Sequence, residues 1–247
     1  MEVQLKLQLY LPDMDKEYLK YQIGQFVDLF LLKLEPVFEN IDAEAEEHGD
    51  NFFNGSIAYS EHIDPGDFAD QAMDQAIKHY EFLSLGKYVL IASWHVALYE
   101  AFEQQVRFFI HKELSRNYRL SINQVFSRFD DLKKILVFYC IELSALKGLK
   151  EIDHLRLLSN VIKHGEGESA SELRRKRPDL IKAYDDVELL ELYGSSLLEE
   201  TLNISQDTLK DFGNAIEQFW DSFPERSYCD CPEKLMEHLI KKIKRKT

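Results

Sequence analysis

Glycine and proline are scarce in this chain, and their scarcity is the first guide to its fold. The 247 residues include ten Gly and six Pro, fewer than a low-complexity or disordered chain would carry. Apolar residues make up 45% of the chain, an ordinary share for a protein that folds around a buried core. Low Gly and Pro contents favour helices, so the composition predicts an all-α protein with at most a few short strands.

Cysteine is also sparse, with Cys140, Cys229 and Cys231 as the three examples. Cys140 lies in the apolar run Ile135–Leu143 and is predicted to be a small buried side chain. Cys229 and Cys231 form a lone C-x-C pair with only His238 nearby, too few ligands for a structural zinc site. We therefore expect no metal and no cofactor. A small, odd number of cysteines is typical of a reducing compartment.

Several targeting and catalytic patterns are missing as well. The sequence has no signal-peptide pattern, no uninterrupted apolar run of membrane-spanning length, no Gly-rich phosphate loop and no nucleophile elbow. We therefore expect a soluble, cytoplasmic protein without membrane contact. The formal net charge is −14, which argues against a dedicated non-specific nucleic-acid binder, because such a protein needs a broad basic surface. A local basic patch remains compatible with this charge.

The most informative stretch that the chain does contain is L-R-L-L-S-N-V-I-K-H-G, from Leu155 to Gly165. On a helix its polar side chains share an arc of about 100°. These polar residues are Arg156, Asn160, Lys163 and His164. Its apolar residues fall on the opposite side, and they are Leu157, Leu158, Val161 and Ile162. Gly165 is expected to end the helix. The pattern fits either a surface helix with solvated polar residues or a site where His164 transfers a proton beside positive charge.

This stretch resembles the signature helix of the HEPN superfamily of all-α domains. In that signature an Arg and a polar residue, often Asn, are followed a few residues later by a His and frequently a Gly. Asn160, His164 and Gly165 match as they stand, whereas Ser159 occupies the place of the Arg and Arg156 lies further upstream than usual. The resemblance implies a HEPN-like helical bundle and a role in prokaryotic antiviral defence, abortive infection or a toxin–antitoxin system.

Two functions follow from this resemblance. Many HEPN domains are metal-independent endoribonucleases (RNases), and a protein of that kind would use His164 on the ribose 2′-hydroxyl or the leaving oxygen. Arg156 and Lys163 would stabilise charge on the phosphate, and Asn160 would position it. Other HEPN domains lack the Arg–His pair and are non-catalytic interaction modules. The departure at Ser159 and the low isoelectric point suit this second function.

Acidic residues beside the signature helix are further candidates for the site. HEPN-like domains often bring an acid from a preceding helix to the basic residue of the motif, and the resemblance makes Glu103 the first candidate and Glu100 the second. Asp153 lies on the same stripe as Arg156 and is a third. Glu103 and Arg107 also have the spacing of an ordinary salt bridge on a solvated helix face, which is the simpler interpretation.

A basic run follows the signature helix and predicts RNA contacts through phosphate groups. It consists of Arg174, Arg175, Lys176 and Arg177. A solvated helix end is the alternative interpretation of this run. The tail from Lys241 to Lys246 is a second basic segment, which could hold RNA or an acidic partner.

The resemblance also predicts that two chains pair. HEPN-like domains commonly dimerise, so we expect a homodimer whose interface includes the signature helix or the helix that carries Glu103. The other partners that we expect are RNA or, for an interaction module, a protein such as an antitoxin. The apolar edge strand from Val3 to Leu11 is a candidate docking edge for such a protein.

The patterns along the chain divide it into three parts. Residues 1–60 are predicted to form an N-terminal strand and helical appendage, residues 61–224 a HEPN-like helical domain, and residues 225–247 a C-terminal basic helix and tail. Strict alternation predicts a strand over Val3–Leu11. Helices are expected over Pro65–Leu83, Lys87–Arg116 and Leu149–His164, and the stretch from Asp42 to Ser60 is expected to be a loop.

Overall fold

The computed structural model describes residues 7–57, 65–122, 125 and 129–243. The chain is 74% helical with only short strands among the described residues, which confirms the all-α class. The helices are α1 (Asp13–Leu29), α2 (Ile41–Ile57), α3 (Pro65–Leu114), α4 (Phe129–Phe138), α5 (Leu149–His164), α6 (Glu168–Lys176), α7 (Leu189–Tyr193), α8 (Gln206–Ser222) and α9 (Pro232–Ile243). The strands are β1 (Gln8–Tyr10), β2 (Ala183–Tyr184), β3 (Val187–Glu188) and β4 (Arg226–Tyr228).

The chain folds into two compact units, which are described separately. Unit 1 contains Met1–Val27, His95–Ser159 and Asp207–Thr247, and unit 2 contains Asp28–Trp94 and Asn160–Gln206. Four helices contribute residues to both units: α3 is divided after Trp94 and α5 after Ser159, whereas α1 and α8 cross the boundary only by their terminal residues.

Aromatic side chains of α3 and α8, together with Phe223 just after α8, form a buried cluster in unit 1. The ring centroids of Phe102 and Phe219 are 5.2 Å apart, and those of Phe109 and Phe223 are 5.5 Å apart. Both pairs meet edge to face, the arrangement that the ring quadrupoles favour. All four rings and the neighbouring Trp220 are buried, so this cluster supplies a large share of the apolar area that stabilises unit 1.

The N-terminal strand is shorter than its sequence pattern. β1 covers Gln8–Tyr10 and pairs antiparallel with β4, which places Leu9 opposite Ser227. Leu7, Leu9 and Leu11 are buried, as alternation requires. The rest of the predicted strand, from Val3 to Lys6, lies outside the described residues.

The stretch predicted as a loop is largely helical, because α2 occupies Ile41–Ile57. A Cβ atom on Gly49 would lie 2.9 Å from the carbonyl oxygen of Ala72 and from the Cβ of Ala76 in α3. The two helices therefore pack at close range in unit 2, and this packing outweighs the weak helix propensity of the Gly- and Asn-bearing stretch. Residues 58–60 of the predicted loop lie outside the described residues.

The two helices predicted on either side of Gly86 form one continuous helix, α3, over Pro65–Leu114. A single Gly costs a helix only about 1 kcal/mol, too little to interrupt α3, in which Tyr88 is buried two residues further on. Among the described residues, α3 has the length and apolar composition of a membrane-spanning helix, with 33% of its most apolar stretch buried. This is weak evidence, since the core helix of a soluble protein has the same properties. The cytoplasmic location stays a prediction.

The prediction of a buried Cys140 is wrong, because this side chain is exposed. Cys140 follows α4 at the position where the chain turns left-handed, with a φ of 56°. Its N–H donates to the carbonyl oxygen of Val137 over 3.0 Å, and the N–H of Ile141 donates to that of Leu136 over 3.0 Å. This pair of bonds is the Schellman ending of a helix, which turns the Cys140 side chain outward although its neighbours in sequence are apolar.

Candidate functional site

The signature helix α5 runs over Leu149–His164, the bounds that the sequence predicts. The four apolar residues named above are all buried; they are Leu157, Leu158, Val161 and Ile162. Its four polar residues are half-buried or exposed; they are Arg156, Asn160, Lys163 and His164. The helix is therefore anchored on one side and offers the polar stripe on the other.

The C-terminal end of α5 is fixed within unit 2 by Gly165, which the sequence predicts, and by Gly194 and Ser196, which the sequence analysis missed. Gly165 has a φ of +70°, and a Cβ atom there would lie 2.5 Å from the carbonyl oxygen of Gly194. Ser196 donates its hydroxyl to the carbonyl oxygens of Val161 and Ile162 over 3.0 and 2.8 Å. The Val161 carbonyl also accepts from the N–H of Gly165 over 2.8 Å. Ser196 therefore adds a second bond to Val161 and supplies one to Ile162, which is among the last four carbonyls of the helix. In the sequence, Gly194, Ser195 and Ser196 indicate a turn, but nothing near them indicates a contact with α5.

Three polar side chains of the stripe belong to unit 2. Lys163 and His164 are exposed at the end of the helix, and Asn160 is half-buried. The side-chain amide of Asn160 donates to the hydroxyl of Ser169 in α6 over 3.4 Å. This part of the stripe therefore presents an imidazole and an ammonium group to solvent on a fixed helix end.

Ser159, which stands where the family signature has Arg, faces the interior. Its exposed fraction is 0%, and its hydroxyl is buried without a hydrogen-bond partner. An arginine here would place its guanidinium among the apolar side chains under α5. The departure from the signature is thus consistent with how α5 is oriented, since an Arg at this position would not reach the polar stripe.

Arg156 belongs to unit 1, where an acid holds it. Its Nε donates to Asp153 Oδ1 over 2.9 Å, and Lys133 Nζ lies 3.9 Å from the other oxygen of Asp153. The Arg156 guanidinium also lies 5.9 Å from the ring centre of Phe129, close enough for a cation–π contact. Asp153, the third acid considered above, is therefore a direct partner of the motif cation.

Glu103 lies on α3 in unit 1 and pairs with Arg107, with 3.3 Å between Oε1 and Nη2. Both residues lie near the buried phenol of Tyr99. Burial is the main cause that raises the pKa of the Tyr99 phenol. The negative charge of Glu103 raises this pKa further, and the positive charge of Arg156 lowers it. Glu103 and Arg156 are therefore within electrostatic reach of one phenol.

Arg174, the first residue of the basic run, is occupied by two carboxylates of unit 2. Its guanidinium binds Glu166 through two bonds of 2.8 and 2.5 Å, and its Nε donates to Glu188. The hydrogen bond from Arg174 lowers the pKa of Glu166. Arg174 thus joins α6 to the segment that follows α5 and to β3, a structural task.

The other three residues of the basic run also have acidic neighbours. Lys176 and Arg175 lie 3.0 and 3.6 Å from the carboxylate of Glu172, and Arg177 binds Asp179 through Nε and Nη2. The run of four cations is therefore matched by four carboxylates when Glu166 and Glu188 are included. Surface pairs of this kind are weak, but they cancel the local positive potential that RNA would need. The RNA-binding role of the run stays a prediction.

Unit 1 contains a groove whose lining includes none of the stripe residues. This groove, which we call the α1/α3 groove, lies between α1 and the C-terminal part of α3 and has a volume of about 960 Å³. Its apolar lining includes Ile23, Phe26 and Phe109, and its margin carries Tyr18 and Phe108, each 61% exposed. Exposed aromatic rings beside an apolar groove are features that protein interaction surfaces share.

The side-chain amide of Gln105, which lines the α1/α3 groove, is already fully hydrogen-bonded. The side-chain amide of Gln105 donates to the carbonyl oxygen of Leu19 and to Gln22 Oε1, each over 3.1 Å. Its oxygen accepts from the indole N–H of Trp220 over 3.0 Å. An apolar side chain that covers this amide would therefore leave all three of its hydrogen bonds intact, so burying the amide costs little free energy.

Among the described residues, no group of three or more His, Cys, Asp or Glu side chains could hold a metal ion. No protein-family model, curated protein or solved structure matches this chain. The resemblance to HEPN domains therefore rests on the motif residues alone.

Proposed function

We propose that this protein is a non-catalytic interaction module that works as a homodimer, with the α1/α3 groove as its pairing face. Following the resemblance, we place it in a prokaryotic defence or toxin–antitoxin system in the cytoplasm. The observation that carries the proposal is the groove itself, with exposed Phe108 and Tyr18 beside an apolar cavity in which the Gln105 amide is fully hydrogen-bonded. The groove lies partly on α3, the helix that carries Glu103.

The groove favours a second copy of this chain because it is self-complementary. A two-fold interface needs projections and recesses on the same patch, and this patch carries both the two aromatic rings and the cavity. Its rim carries both charge signs, since Lys112 Nζ lies 3.5 Å from Asp15 Oδ2. Two copies related by a two-fold axis can therefore place opposite charges across the rim.

The first test is the molar mass in solution. Light scattering at micromolar concentration should give twice the 29.0 kDa chain mass. Phe108→Asp should give the monomer, because the dimer loses two anchors worth about 2 kcal/mol each, or about a thousand-fold in dissociation constant. Tyr184→Asp is the matched control: Tyr184 is 72% exposed on β2 and lies outside the groove, so this variant should stay dimeric. A monomeric parent protein would refute the proposal.

A metal-independent RNase is the second candidate, and the exposed Lys163 and His164 at the fixed end of α5 are the observation that favours it. His164→Ala should then lower RNA cleavage by about 10² to 10⁴-fold, and Arg156→Ala should have a comparable effect. Cleavage should persist in a chelator. His48→Ala, which removes another exposed imidazole, is the control that should keep full activity. If neither the purified protein nor its mixture with the products of neighbouring genes cuts RNA, this candidate is wrong.

A further inference from the structure

All the cysteines of this chain come together in unit 1. Cys140 follows α4, and Cys229 and Cys231 flank Asp230 in the segment between β4 and α9. The Cys140 thiol donates to Asp230 Oδ2 over 3.1 Å, although the two residues are 90 positions apart in the sequence. The fold therefore brings the lone thiol against the segment that carries the other two.

At Cys140 the backbone conformation is one in which any side chain costs conformational free energy. The residue is left-handed, with a φ of 56°, and Gly is the residue that this helix ending favours. A glycine would make the same two backbone bonds that end α4. Compared with a glycine at this position, Cys140 contributes a thiol and the contact of that thiol with Asp230.

The three thiols differ in access. Cys140 and Cys231 are exposed, whereas Cys229 is buried and its N–H donates to the carbonyl oxygen of Leu7 over 2.8 Å. Cys140 also lines a cavity of about 480 Å³ together with Ser222 and Tyr228. A small reagent can therefore reach Cys140, and Cys231 is the accessible second thiol.

We propose that Cys140 and Cys231 form an internal disulfide by exchange with a low-molecular-weight disulfide such as glutathione disulfide. The Cys140 thiolate attacks one sulfur of the reagent, forms a mixed disulfide and releases one thiolate. The Cys231 thiolate then attacks the Cys140 sulfur and releases the second. Two electrons pass from the two cysteines to the reagent, and the two cysteine protons are taken up by the released thiolates.

The bond would join the end of α4 to the segment before α9. The segment around Asp230 must bring the two sulfur atoms to a bonding distance of about 2 Å. The inference is independent of the proposed dimer, because both cysteines belong to one chain and neither lines the α1/α3 groove.

The environment of Cys140 sets the pH at which exchange proceeds. The hydrogen bond to Asp230 is the main cause that raises the pKa of the Cys140 thiol, and the negative charge of Asp230 adds to it. The other ionisable groups that line the cavity are Tyr139, Glu142, Arg226 and Tyr228. Since the thiolate is the attacking species, the rate should rise with pH, and Asp230→Asn should move the rate profile to lower pH.

The experiment is to treat the purified full-length protein with glutathione disulfide at about pH 9, above the ordinary thiol pKa, and to map its peptides without reduction. The parent protein should lose two hydrogen atoms in mass and yield a Cys140–Cys231 peptide. Cys231→Ser should instead accumulate a glutathione adduct on Cys140. Cys229→Ser is the matched control and should still form the internal bond.

Three outcomes would overturn the inference. These are a bond between Cys229 and Cys231, a bond between chains, and a Cys140 that stays unmodified at alkaline pH. If Asp230→Asn reacts with the same pH profile as the parent, the contact with Asp230 does not control the thiol. Circular dichroism spectra of all variants should match the parent, which separates a changed thiol from a changed fold.

Discussion

Replacement of Ser159 tests the orientation of α5 directly. Ser159 has an exposed fraction of 0%, and its hydroxyl has no hydrogen-bond partner. A buried polar group of this kind costs about 1–3 kcal/mol, and Ala is the better helix former by about 0.5 kcal/mol. Allowing for the small void left by the oxygen, Ser159→Ala should raise the free energy of unfolding by about 1 kcal/mol.

The arginine that the family signature has at this place should do the opposite. In Ser159→Arg a guanidinium enters a packed interior without a partner, which costs about 3–5 kcal/mol or more. We expect this variant to be strongly destabilised or insoluble. It should not gain RNase activity, although it restores the spacing of the motif.

Urea unfolding followed by circular dichroism measures both effects, and the midpoint of thermal unfolding should rise by about 2–4 °C in Ser159→Ala. Ser93→Ala is the control, because Ser93 is exposed on α3 and donates its hydroxyl to the carbonyl oxygen of Val89 over 2.8 Å. Its stability should change by less than about 0.5 kcal/mol. A Ser159→Arg protein as stable as the parent would show that this position faces solvent and would refute the reasoning.

Two further predictions concern stability. Gly165→Ala should destabilise the protein by more than about 2 kcal/mol and Gly194→Ala by only about 1 kcal/mol. Both have a positive φ, but only the first added Cβ meets a carbonyl oxygen; equal losses of stability, measured by urea unfolding, would contradict this geometry. Burial raises the pKa of Glu113, so the folded protein holds this proton more tightly than the unfolded chain. That contribution to stability is present below the ordinary carboxyl pKa and is lost as pH rises through the raised one. Glu113→Gln should flatten this part of the pH–stability curve, and an unchanged curve would show that Glu113 is not its source.

The sequence predicted the parts of the fold that local patterns control. The bounds of α5 follow from an apolar stripe and a terminal Gly, and both features are visible within one segment. The start of α8 at Gln206 also follows from the sequence, since Ser205 precedes it as a capping residue.

The errors come from contacts between distant residues. α2 was expected to be a loop, because the fit of Gly49 against Ala72 and Ala76 is not encoded near Gly49. The pairing of β1 with β4 joins the two ends of the chain, and neither strand indicates its partner. Cys140 was expected to be buried, because its apolar neighbours hide the left-handed turn that points it outward.

The candidate site was predictable only in part. The stripe on α5 could be read from the sequence, but its neighbours could not. Ser196, which binds the end of α5, and Glu166, which binds Arg174, act through contacts that only the fold reveals. The α1/α3 groove arises from side chains about 80 positions apart, such as Gln22 and Gln105, and no local pattern marks it.

The proposed pairing face is tested most directly by a photo-crosslink from the position of Phe108. A benzoylphenylalanine at that position, in a mixture of isotope-labelled and unlabelled protein, should form crosslinks between the two forms on irradiation. The crosslinked peptides should come from α1 or α3 of the second chain. Crosslinks confined to one chain, or crosslinks between chains at surfaces away from the α1/α3 groove, would contradict the claim that two copies pair through this groove.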